Sequence, residues 1–74
     1  MKPYTLTELQ DLRPGDIFRL AAGDGRKLIK SPADPFRKNK KIFLYATHEG
    51  ELIPVALRKK TKVIFIKRSK QLVL

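Results

Sequence analysis

LIPVALRKKTKVIFIKR, residues 52–68, decides the reading of this chain: two apolar segments flank the cations Arg58, Lys59, Lys60 and Lys62. Apolar runs of roughly four to eight residues, rich in valine and isoleucine, are strand-sized. The stretch therefore reads as a β-hairpin with a positively charged tip. Pro54 has no N–H to give to a ladder, so the first strand belongs at a sheet edge or carries a bulge. The cations beside it suit an edge too, because like charge discourages a second copy from adding a strand there.

Upstream, IFLYAT (42–47) is too apolar to be exposed on both faces and is expected to be central in the sheet. Ile42, Leu44 and Ala46 form the set without polar groups and should face the core, which leaves Phe43 and Tyr45 on the outer face beside Lys41, although a barrel this small is expected to bury at least one of these rings. His48-Glu49-Gly50-Glu51 reads as the following turn. His48 is the only histidine in the chain and is expected to face solvent.

At the other end, Leu6, Leu9 and Leu12 are three apart, and Thr5-x-x-Glu8 and Thr7-x-x-Gln10 both fit a capping box. Together they predict a short N-terminal helix that ends before Pro14, with its leucines covering one end of the core. Arg13-Pro14-Gly15-Asp16 suits a type II turn with Gly15 at positive φ, leading into a strand at 17–20. This order of leucines, Pro-Gly-Asp and apolar strand resembles the entry of small SH3-like barrels, on turn chemistry alone. Ala21-Ala22-Gly23-Asp24-Gly25 reads as a hairpin loop into the strand RKLIK, 26–30. The loop lacks the ending of a phosphate-binding loop and the several carboxylates of a calcium loop.

SPADPFRKNKK (31–41) has two prolines and no apolar periodicity, so it reads as a loop. It sets Phe36 among Arg37, Lys38, Lys40 and Lys41. A ring among cations can stack on a base while the charges follow phosphates, and it can equally tuck into the rim of a core. The segment QLVL (71–74) reads either as a short last strand or as a tail for a partner. The fold expected is all-β: a single domain over 1–74, a small five- to six-stranded antiparallel barrel, SH3-like or OB-like, with one short N-terminal helix.

Composition bounds the function. A chain of 74 residues buries only roughly 60–65% of the surface it exposes when unfolded, which leaves room for one core and no large pocket. There is no cysteine, hence no disulfide and no thiolate metal site, which suits a reducing cytoplasm. The N-terminus lacks the apolar core of a signal peptide, and no apolar run approaches the ~18 residues of a membrane span. Net charge is +10. Lys2, Arg13 and Arg19 against Glu8, Asp11, Asp16 and Asp24 hold the first 25 residues at −1, so the whole excess lies beyond them.

No catalytic constellation is present. The two serines lie in basic polar segments, the carboxylates are scattered singly apart from Glu49 and Glu51, and a lone histidine builds neither a triad nor a metal site. No cofactor is implied. What remains is electrostatic: the groups Arg26-Lys27-Lys30, Arg37-Lys38-Lys40-Lys41 and Arg58-Lys59-Lys60-Lys62, which with Phe36 are the candidate site. If they converge, they form a stripe that binds nucleic acid, RNA or DNA, through its phosphates. The alternative is a protein-interaction or assembly module, in which the charge serves solubility or an acidic protein partner.

Overall fold

The computed structural model describes residues 1–68. Seven strands build one antiparallel sheet: β1 (Thr5–Glu8), β2 (Asp16–Leu20), β3 (Lys27–Lys30), β4 (Phe36–Lys38), β5 (Lys41–His48), β6 (Pro54–Arg58) and β7 (Lys62–Arg68). The order is β1-β7-β2-β3-β5-β4, with β6 on the remaining edge of β5. The all-β expectation is met, but the sheet is open: among the described residues no ladder joins β6 to β1, so it does not close into a barrel.

The 52–68 stretch is not a hairpin. Its two strands are consecutive but pair with different neighbours, β6 with β5 and β7 with both β1 and β2. With both of its edges occupied, β7 has none left for β6. Pro54 sits in an edge strand, as its chemistry requires. The Lys59 N–H donates to the Ile42 carbonyl across the β5–β6 pair, 3.0 Å. By alternation the N–H groups of Val55 and Leu57 also point at β5, and position 54 is one whose N–H would face outward.

The N-terminal helix is absent. Residues 5–8 are β1, paired with Val63, Ile64 and Phe65, and only Leu9–Asp11 winds into a single 3-10 turn, η1. A capping box is present one turn later than expected, between Glu8 and Asp11. The three leucines do not share a face: Leu9 and Leu12 are buried, whereas Leu6 is 63% exposed on the outer side of the sheet. A helix of two turns is marginal in water, and a ladder with β7 offers the same backbone groups better partners.

The core follows the two-residue alternation of the strands. Phe18, Leu28, Leu44, Ala46, Val63 and Phe65 face inward, joined by Leu9 and Leu12 from the η1 segment, and Leu20, Val55 and Leu57 pack against them. Arg13-Pro14-Gly15-Asp16 makes the expected turn, with Gly15 at φ 93° and Asp16 N–H donating to the Arg13 carbonyl. QLVL (71–74) lies outside the described residues.

Alternation also carries Lys30 inside with Leu28. Its Nζ donates to the Leu9 carbonyl at 3.2 Å and to the Leu12 carbonyl, fastening η1 to the sheet. Burial pushes this amine below its ordinary value of 10.5, and the charges of Asp16 and Asp11 oppose the shift. Lys30 is thus a structural cation rather than part of a surface stripe.

Candidate nucleic-acid interface

The 31–41 segment, expected to be a loop, is largely a hairpin. Phe36–Lys38 pairs with Lys41–Phe43 of β5 in the register Phe36↔Phe43, Arg37↔Ile42 and Lys38↔Lys41. The two residues between the strands, Asn39 and Lys40, both have positive φ, 53° and 62°. Two left-handed residues make the turn whose twist matches a hairpin, and they usually read Asn-Gly. Here lysine occupies the glycine position, so the sequence signal was muted.

This hairpin stands beside the turn between β6 and β7. Arg37, Lys40, Lys41 and Ile42 from the first, with Arg58, Lys59, Lys60 and Thr61 from the second, line one open groove of about 530 Å³. Six of these eight residues are cations and none is an acid. The second turn is held on both sides. Thr61 N–H donates to the Arg58 carbonyl and Lys59 N–H to Ile42 of β5, while Leu9 and Gln10 N–H groups of η1 donate to the Thr61 and Lys59 carbonyls, at 2.9–3.0 Å. The cations of the β6–β7 turn therefore project from fixed backbone.

The remaining candidates lie elsewhere. Lys38 is exposed next to the groove, on the outer face opposite Lys41. Lys62 pairs with Glu8 at 3.3 Å, and that carboxyl is held below its usual value by hydrogen bonds from Gln10 and Lys62. Arg26 and Lys27 occupy the far end of the sheet. Lys27 O accepts from Glu49 N–H beyond the end of β5, and at about 3.3 Å per residue the length of β5 from Lys41 to His48 puts that end roughly 23 Å from the groove. Arg26 is paired there with Glu51 at 2.6 Å. The three basic groups do not form one stripe; two converge and the third, with Lys30 buried, is separate.

Phe36 is not in the core. It stacks on the outer face of the sheet against Phe43, centroids 5.2 Å apart and planes 16° apart, and against Tyr45, at 5.1 Å and 30°. The outward placement of Phe43 and Tyr45 is as the sequence implied. His48 ends β5 instead of facing solvent in a turn. It is inward-paired with Leu28, its side chain is 21% exposed, and its Nδ1 is 3.7 Å from Glu51. Among the described residues no group of three His, Cys, Asp or Glu could hold a metal ion, and no helix is long and apolar enough to cross a membrane.

Fold and groove together define a small all-β domain with a cationic cleft at one end of an open sheet. Comparison with family models, with curated proteins and with solved structures gives no match for the chain.

Proposed function

We propose that this protein is a non-enzymatic nucleic-acid-binding module of the cytoplasm, with the groove between the β4–β5 and β6–β7 turns following the phosphate backbone. One observation carries the reading: six cations line a single groove that no carboxylate shares. Opposed charges would raise the local concentration of a polyanion, and each neutralised phosphate would release condensed counterions. Lys40 adds to it. A side chain in the left-handed region costs roughly 1–2 kcal/mol, so a cation stands where glycine would be the relaxed choice. β2 and β3 form a hairpin, β3 lies beside β5, and β7 returns beside β2; in this proposal the open all-β sheet is taken as a relative of the SH3-like barrels. The test is titration of a fluorescent oligonucleotide at low salt. Binding in the micromolar range or tighter is expected; none from the folded protein would end the proposal.

A second reading, a protein-interaction module, draws on Leu52 and Ile53, which are 96% and 78% exposed beside the β6 edge. Their replacement by serine should leave oligonucleotide affinity unchanged.

A further inference from the structure

The outer face of β4, β5 and β6 carries features that bear on the kind of nucleic acid the groove would serve. Phe36, Phe43 and Tyr45 form one half-buried aromatic cluster there, with Phe36 in contact with both partners. Cations flank one end of it by register. Lys41 lies two residues before Phe43 on the same face of β5, Lys38 opposes Lys41 on β4, and Arg58 opposes Phe43 on β6. Lys41 and Arg58 also line the groove. The phosphate path and the ring cluster therefore share two side chains, and the distance from Lys41 to Tyr45 along β5 is about 13 Å.

We propose that Phe36, Phe43 and Tyr45 are a base-stacking platform and that the ligand is a single strand, a conclusion that rests on the groove being a phosphate site. Every base has a π-face, so rings flanked by cations hold single strands with little regard for sequence. A duplex keeps its bases stacked on one another and its edges in grooves, out of reach of rings lying on a strand face; only splayed bases meet them. The alternative role for the cluster, fastening the β4–β5 hairpin to the sheet, requires no base.

The chain has two tyrosines and no tryptophan, so Tyr4→Phe, at a residue 71% exposed and remote from the cluster in the sheet, leaves Tyr45 as the reporter. Three probes carry equal phosphate: a short oligothymidylate, its abasic counterpart and a duplex. The oligothymidylate should bind about five- to 150-fold more tightly than the abasic strand for each base that stacks, and should quench Tyr45, while the other two do not. Phe36→Leu, which keeps apolar cover over the hairpin, should remove most of this preference without weakening abasic binding. Equal affinity for oligothymidylate and abasic strand, with Tyr45 unquenched, would overturn the platform and leave the phosphate groove standing. Failure of all three probes to bind at low salt would remove both.

Discussion

Neutralising one wall of the groove should change how binding depends on salt, and by a calculable amount. For single strands the slope of log affinity against log salt is about −0.7 per phosphate neutralised. If all six groove cations engage phosphate, the slope is about −4, and raising salt from roughly 50 to 200 mM weakens binding about 300-fold. The triple variant Arg58→Gln, Lys59→Gln, Lys60→Gln keeps three of the six. Its slope should fall to about −2 and the same salt step should cost only about 20-fold. A second triple variant, Lys2→Gln, Lys27→Gln, Lys67→Gln, makes the same change in net charge outside the groove. Its slope should stay near that of the parent. Fluorescence anisotropy of a labelled oligothymidylate over a salt series measures all three. If both triple variants lose slope equally, the binding answers to diffuse charge and the groove is not the site.

Lys30 makes a sign-specific prediction. Its amine is depressed below 10.5 in the fold, so the unfolded chain holds that proton more tightly. Stability from this group should rise with pH between the folded-state value and 10.5, and be lost as pH falls through the folded-state value. Urea unfolding across that window, paired with NMR titration of the Lys30 side chain, checks it; a midpoint at or above 10.5 would refute the assignment. Lys30→Met should abolish the rise and cost about 1–3 kcal/mol at neutral pH, because the buried ammonium no longer serves the Leu12 carbonyl. Lys40→Gly relieves a left-handed lysine and should stabilise the hairpin by up to about 1 kcal/mol while weakening oligonucleotide binding. A variant that loses stability would place the strain elsewhere. Phe18→Ala empties the largest fully buried site and should cost about 3–5 kcal/mol, most of what a domain of this size has; a cooperative thermal transition close to the parent's would contradict the core described.

What the sequence by itself determined was local. The Pro14-Gly15 turn, the edge position of Pro54 and, of the inward set Ile42, Leu44 and Ala46, the two core members Leu44 and Ala46 all follow from the chemistry of one residue or the two-residue period of a strand, whereas Ile42 lines the groove. The same period puts Lys30 on the side of Leu28, although the sequence reading counts it among the surface cations, because lysine is so seldom buried. Other features were decided by competition between distant segments. Leucines three apart suit a helix, but β7 offered residues 5–8 a ladder, and no local propensity reveals that offer. The apolar halves of 52–68 announce two strands without naming their partners, and the antiparallel neighbours β1 and β2 filled both edges of β7. The Asn39-Lys40 turn carries no sequence signature because its second residue lacks the glycine that usually marks a left-handed position.

The candidate site divides the same way. Charge and aromatic content were visible in three basic groups and Phe36, but their convergence is a property of register. Antiparallel pairing of β4 with β5 and of β5 with β6 brings Arg37, Lys40 and Lys41 beside Arg58, Lys59 and Lys60. The same rule pairs β3 with the far half of β5, which carries Arg26 and Lys27 to the opposite end. A sequence states how many charges there are; the ladder, whose hydrogen bonds fix each residue opposite one partner, decides which of them share a groove.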